Sequence, residues 1–217
     1  MKRKNKVELN YLINNLKNRF KKSQYKIDDL KIYKVISRKG INFLCAFTDI
    51  NFKRKFQKSF RRLCLVVPES VVIVPILIYK NKKFTMMISQ QRVDDGSPSL
   101  EFPAGAIHFK DTPKKSAKNE INEELKLDIK TNDIKKLTDK VIRIDPSMTT
   151  HRAHFFYFIK KVEKDFFRAY HNLDSGDKTL GENLKIKILS FKEVKKINTS
   201  SAIIGLKLFE NKFLNLK

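Results

Sequence analysis

Residues 100–127, LEFPAGAIHFKDTPKKSAKNEINEELKL, constrain this 217-residue chain more than any other stretch. A short apolar segment turns at Pro103-Ala104-Gly105, crosses a polar loop and enters a helix that holds Glu120, Glu123 and Glu124. At about 100° per residue, Glu120 and Glu124 stand one turn apart on one face with Glu123 beside them. Ala117, Ile121 and Leu125 form the adjoining stripe, which can face a core. Three carboxylates bunched on one face repel one another unless a positive charge sits among them. No lysine is interposed, although the chain is rich in lysine. Oxygen ligands gathered in this way suit a hard divalent cation.

The rest of the chain reads as a scaffold for that stretch. Hydrophobic residues make up 41% and aromatics 11%, enough to fold one well-packed domain with an extension. Leu9, Leu12, Ile13, Leu16 and Phe20 recur at helical spacing within residues 1–30, predicting an amphipathic helix docked on the body. KIYKVIS, a Lys39-Gly40 turn and INFLCAF then read as a strand pair, and FKRKFQKSF as a further strand or basic edge. RRLCLVV and VVIVPILIY are buried strands, and Asn81-Lys82 turns the chain into FTMMISQQR. Beyond the glutamate helix, IKKLTDKVIRI, AHFFYFIKKV and LKIKILSF are expected strands. FRAYHNLDSGDKTLGEN reads as a polar connection. FKEVKKI and SSAIIGLKLFENKFL, residues 200–214, read as helices, the second with Ile203, Leu206, Leu208 and Phe209 on its apolar side. The order of elements predicts an α+β architecture.

The formal charge is +24, supplied mostly by lysine. Cations recur along the whole length, which reads as compositional drift and solubility, though an anionic substrate or a weak RNA contact would benefit from it. Cys45 and Cys64 are far apart among apolar neighbours and read as free thiols in strands, suited to a reducing compartment. No apolar run reaches the roughly 18 residues a membrane span needs. An intracellular, cytoplasmic location is expected. The basic start, with an acid at Glu8 and little Ser or Arg, leaves organelle targeting open.

Gly105, five residues, Asp111, seven residues, then Asn119-Glu120-Ile121-Asn122-Glu123-Glu124-Leu125-Lys126-Leu127 resembles the Nudix box, G-x5-E-x7-R-E-U-x-E-E-x-G-U with U apolar. Gly105, Glu120, Ile121, Glu123, Glu124 and Leu127 match. Asp111 replaces a Glu, Asn119 replaces an Arg that would brace the glutamates, and Lys126 replaces a Gly suited to a left-handed helix exit, so the last turn is expected to run on. EFPAG and Gln90-Gln91-Arg92 resemble the ADP-ribose and ADP-sugar pyrophosphatase branch, from about residue 65 to the C-terminus.

The resemblance implies a Nudix fold, an α/β/α sandwich around a mixed sheet, over residues 65–217. Residues 1–64 become an N-terminal helix and strand extension that pairs two copies into a homodimer. It implies Mg²⁺ or Mn²⁺ held by Glu120, Glu124 and the main-chain carbonyl of Ala104, with Glu123 a further ligand. Glu123, Glu124 and a general base carry the catalysis. Asp174, Asp177 and Glu182 all lie in the loop that offers the base, and Glu182 is preferred. Gln91, Arg92, Glu101 and Arg152 are the substrate-contacting residues, with a structural ion pair the alternative for Arg92. In the loop Asp145-Pro146-Ser147-Met148-Thr149-Thr150-His151-Arg152 the chain departs from ADP-sugar relatives, and His151 and Arg152 add donors for phosphate or a sugar acid. The activity implied is hydrolysis of an ADP-sugar to AMP and sugar phosphate. The alternatives are removal of RNA caps, or a catalytically impaired Nudix fold that binds RNA or protein.

Overall fold

The computed structural model describes residues 3–21, 23–37, 44–54, 58–92, 96–178 and 182–214. The chain forms two compact units, one of residues 1–69, 108–110 and 143–152, the other of residues 70–107, 111–142 and 153–217.

In the first unit, helix α1 (Arg3–Phe20) packs on an antiparallel sheet ordered β1 (Tyr25–Ser37), β2 (Leu44–Arg54), β3 (Phe60–Val66). Leu9, Leu12 and Leu16 form its buried stripe against Ala46, Ile50 and Val66, as the helical spacing predicts. Each such leucine contributes about 1.5–3 kcal/mol of burial. The expected strand from Lys31 begins earlier, at Tyr25, because register shifts between Ile27 and Asp29 and between Ile32 and Lys34 let β1 follow β2 along nearly its whole length. The Lys39-Gly40 turn lies outside the described residues. Cys45 and Cys64 are free thiols on β2 and β3. Residues 145–150 close against β3: the Leu65 N–H donates to the Met148 carbonyl at 2.8 Å, and the Val67 N–H donates to Thr150 Oγ1 at 2.9 Å.

The second unit is built on β4 (Ser70–Tyr79) and β5 (Lys82–Gln91). Lys80 and Asn81 turn between them, both with positive φ. The two strands pair only from Leu77 to Tyr79 and from Lys82 to Phe84. Pro75 explains where they part. The Ile73 N–H points away from the β4 neighbour β10 (Arg152–Lys161), donating to the Pro103 carbonyl at 2.8 Å, and N–H groups alternate along a strand. Position 75 would therefore donate toward β5, and proline has no N–H to give. Thr85 Oγ1, fully buried, donates to the orphaned Pro75 carbonyl at 2.7 Å. Into the opened edges come β6 (Pro98–Glu101) on β5 and β7 (Ala104–Ala106) on β4.

Helix α2 (Pro113–Leu125) follows. Thr112 caps it by accepting from the Lys115 N–H, and Pro113 sits where a missing N–H costs nothing. Ala117, Ile121 and Leu125 are fully buried, as their spacing predicts, in one core with Val71, Ile73, Met86 and Ile88. The helix does not run on at its end. Lys126 takes the left-handed conformation itself, with φ of 56°, and its N–H donates to the Ile121 carbonyl. The cap geometry is kept without glycine, at a conformational cost of about 1 kcal/mol.

The segment expected as one strand, IKKLTDKVIRI, supplies only β8 (Lys135–Lys136) and β9 (Ile142–Arg143) after a 3-10 turn at Thr131–Asp133. It is held by Ile134 and Leu137, both buried, more than by a ladder. The polar connection contains a helix, α3 (Lys164–Tyr170), whose Phe166 and Phe167 pack on the core, and a short strand β11 (Asp174–Ser175). The unit closes with β12 (Leu184–Ser190), α4 (Phe191–Val194) and α5 (Ser200–Phe213). The apolar side of α5 is Ala202, Gly205 and Phe209, and Ile203, expected there, is 56% exposed. Among the described residues the sheet has nine strands, ordered β11-β12-β5-β4-β10-β8 with β6, β7 and β9 on its flanks. β10 runs parallel to β4, and β12 antiparallel to β5. The result is a mixed α+β sheet with helices against it.

Candidate active site

Glu120 and Glu124 lie on α2 where it faces β7, and both are buried. The Ala104 N–H donates to Glu124 Oε2 at 3.0 Å, so the extended EFPAG strand anchors one carboxylate. Gly105 admits the other. A Cβ built there would stand 1.9 Å from Glu120 Oε1 and 2.2 Å from its carboxyl carbon. Any side chain at 105 would therefore occupy the place of the Glu120 carboxylate. The glycine is there for this approach and needs no positive φ to explain it.

The electrostatics of the pair are unfavourable as they stand. Burial, then Glu123, then Glu182 push the Glu120 carboxyl up to about 8. Burial and Glu120 push Glu124 well above the ordinary carboxylate range, with Glu182 adding to the rise. The Ala104 N–H and the positive charge of Arg92 oppose the shift. Arg92 thus supplies Glu124 with some of the bracing expected of an arginine at 119.

Arg92 is gripped in turn. Its Nε and Nη2 donate to Glu101 Oε1 and Oε2 at 2.7 and 2.8 Å, and Ser99 Oγ donates to Glu101 Oε1 at 2.9 Å. Burial raises the Glu101 carboxyl, but the Arg92 and Ser99 bonds outweigh it and hold the group below its ordinary value. Arg92 thus forms an ion pair in which Glu101 orients the guanidinium. Pairing of β5 with β6, Ile88 opposite Glu101 and Gln90 opposite Ser99, brings together residues nine apart in the chain.

Glu182 stands beside the pair, exposed, and its charge acts on both carboxylates. Its Oε2 accepts from the Asp177 N–H at 3.2 Å, and its own N–H donates to the Asp177 carbonyl at 3.1 Å. Gly176, with φ of 83°, makes the bend, and a Cβ there would press within 2.8 Å of Leu184. Asp174 turns instead to Lys185 on β12. Glu123 is exposed on α2 and acts on Glu120 by its charge. Gln91 is exposed, its amide donating to the Gly96 carbonyl. Arg152 falls in the first unit, beside Arg19, whose guanidinium binds Glu69 at 2.6 Å and the Thr150 carbonyl at 3.0 Å.

The structure thus gathers Ala104, Glu120, Glu124, Glu182, Arg92 and Glu101 in one unit. Among the described residues no group of three or more His, Cys, Asp or Glu side chains converges closely enough to hold a metal ion. What exists is a pair of buried carboxylates whose ionised form needs a positive partner, one of them anchored to the Ala104 N–H of the adjoining strand. This donor set fits a hard divalent cation. The role of Gly105 as a cradle was missed in the sequence, although its fixed distance from the glutamates was the available signal.

No family model matches the chain. It is similar to Nudix hydrolase 14, chloroplastic, of Arabidopsis thaliana, at 25% identity over 181 residues, 79% of this chain. The chain spans 58% of the length of that relative. Among solved structures it is similar to a crystal structure of an ADP compounds hydrolase, with a TM-score of 0.56, 17% identity, and coverage of 86% of this chain and 95% of that one. Among the described residues no helix is long and apolar enough to cross a membrane.

Proposed function

We propose that this chain, a relative of the Nudix hydrolases in sequence and in fold, is a Mg²⁺- or Mn²⁺-dependent pyrophosphatase that cleaves an ADP-sugar of the ADP-ribose or ADP-glucose kind. The observation that carries this reading is the fit of Glu120 against Gly105 beside a Glu124 anchored to the Ala104 N–H. Ionised, two carboxylates buried side by side carry a desolvation and repulsion cost. A bound cation would offset it.

Glu120, Glu124 and the Ala104 carbonyl are the groups that would hold the ion, with Glu123 a further ligand. The ion supplies charge neutralisation on the phosphate oxygens and a lowered pKa for attacking water. The chain does the rest. Arg92, oriented by Glu101, lends positive charge toward an anionic pyrophosphate. Glu182, steadied by the Asp177 N–H, accepts the proton of the attacking water. A water oxygen bonds to one phosphorus while the bridging P–O bond breaks, giving AMP and a sugar phosphate.

The first unit supports a homodimer. Tyr33, Phe47 and Leu63 are exposed on its sheet at 51, 37 and 48%, an apolar row that a second copy would cover. Light scattering behind a sizing column tests this, and a monomer at micromolar concentration refutes it.

The net charge of +24 favours a second reading, removal of a cap from RNA. A coupled phosphate-release assay over ADP-ribose, ADP-glucose, other nucleoside-diphosphate sugars and capped RNA separates the two. The proposal expects the ADP-sugars to be turned over fastest, and preference for the cap would replace it.

A further inference from the structure

Cations recur along the chain, but their density is uneven. Residues 1–69 hold 19 Lys and Arg against five Asp and Glu, a net +14, and the other 148 hold 28 against 18, a net +10. Charge per residue is about three times higher in the first stretch. It is also set among rings there. Where α1 gives way to β1, Tyr25, Phe52 and Phe60 form a chain of contacts, Tyr25 edge-on to Phe60 at 5.7 Å and Phe52 stacked on Phe60 at 5.3 Å. The Arg54 guanidinium lies over Tyr25 at 5.5 Å and that of Arg62 over Phe60 at 5.1 Å. Lys53 and Arg62 are exposed, and Phe60 is 37% exposed beyond the end of α1. The acids of this sheet are engaged: Asp29 and Asp49 take Arg61, and Asp28 accepts from Asn51.

We propose that this corner of the first unit binds single-stranded nucleic acid, with a base stacking on the exposed Arg62 guanidinium that lies over Phe60 and the neighbouring cations holding the phosphates. A base presents a flat π face of the kind the ring stack continues, and the guanidinium planes extend the platform. Single strands suit it because their bases are free to stack. A lipid surface fits less well. The rings lie within a sheet, and Phe60 alone of the three is exposed. None of these residues belongs to the glutamate site, so this proposal and the pyrophosphatase reading stand or fall separately.

The test is fluorescence anisotropy of a labelled 15-nucleotide single-stranded RNA of mixed sequence, titrated with the full chain. A duplex of equal length and phosphatidylserine vesicles run alongside. With three or four phosphates engaged, log K should fall against log salt with a slope of about −2 to −3. Phe60→Ala should weaken binding roughly five-fold or more. Arg62→Glu should weaken it further and flatten the slope, while Lys135→Glu, the same charge change on the exposed β8, should do much less. Circular dichroism of each variant should match the parent. Equal losses for Arg62→Glu and Lys135→Glu, equal affinity for duplex, no effect of Phe60→Ala, or binding to vesicles alone would each overturn the proposal.

Discussion

Without a cation, the second unit should lose stability as pH rises through the range where most enzymes are handled. The Glu120 carboxyl sits at about 8 against an ordinary 4.5, so the folded chain holds a proton that the unfolded chain releases. A group raised in the folded state contributes its full stability below the unfolded value and loses it as pH climbs to the folded one. The window is therefore from about 4.5 to about 8. At about 1.36 kcal/mol per unit the loss from Glu120 alone is at most about 5 kcal/mol. Glu124 is shifted in the same direction and adds to it. Total stabilities run to only about 5–15 kcal/mol, so even a fraction of this is measurable. His151 works the other way, since burial lowers its pKa and its contribution is lost as pH falls. Glu120→Gln isolates the carboxylate. Urea midpoints in EDTA should drop between pH 5 and pH 8.5 for the parent and drop less for the variant. Millimolar Mg²⁺ or Mn²⁺ should restore the parent midpoint at pH 8.5 with little effect at pH 5. Parallel pH profiles for parent and variant, with or without the ion, would falsify the reasoning.

Three further substitutions probe the frame. Gly105→Ala should cost activity on the order of 100-fold while changing stability by less than about 1 kcal/mol, because the added methyl meets the far end of the Glu120 side chain; turnover and urea unfolding on the same sample check it. Lys126→Gly should raise the unfolding free energy by about 1 kcal/mol, since the left-handed cap costs glycine nothing, and an unchanged midpoint would show that the Lys126 ammonium bond to the Gly176 carbonyl matters as much. Gly205→Ala should destabilise by about 1–3 kcal/mol in thermal unfolding, because its Cβ would stand 2.6 Å from buried Phe102 and 3.1 Å from Val74.

The parts of this molecule that announce themselves in sequence are those fixed by local period or by a turn. Ala117, Ile121 and Leu125 are spaced for one helical face and are fully buried on it. VVIVPILIY and FTMMISQQR are short segments rich in apolar and β-branched residues on either side of a turn at Lys80-Asn81, and both are strands. What was not legible depends on pairing across the sheet. Arg92 meets Glu101 because β5 pairs with β6, and nothing in the order of residues between them shows it. The splay that makes room for β6 and β7 hangs on Pro75 lacking one N–H, a consequence visible only once the neighbour strands are known. IKKLTDKVIRI reads as one strand yet is pinned by Ile134 and Leu137 with two short pairings, and α3 is too short for its period to stand out in a polar stretch. Gly105 was placed by its spacing, but its reason, the approach of Glu120, exists only in three dimensions.

The central claim is that Glu120 and Glu124 form a working cation site. It is tested most directly by steady-state turnover of ADP-ribose and ADP-glucose at saturating Mg²⁺, comparing the parent chain with Glu124→Gln. The amide keeps the volume and can still accept from the Ala104 N–H, but it carries no charge for an ion. Turnover is predicted to fall on the order of 100-fold or more with the fold intact. A Glu124→Gln chain as active as its parent would contradict the account.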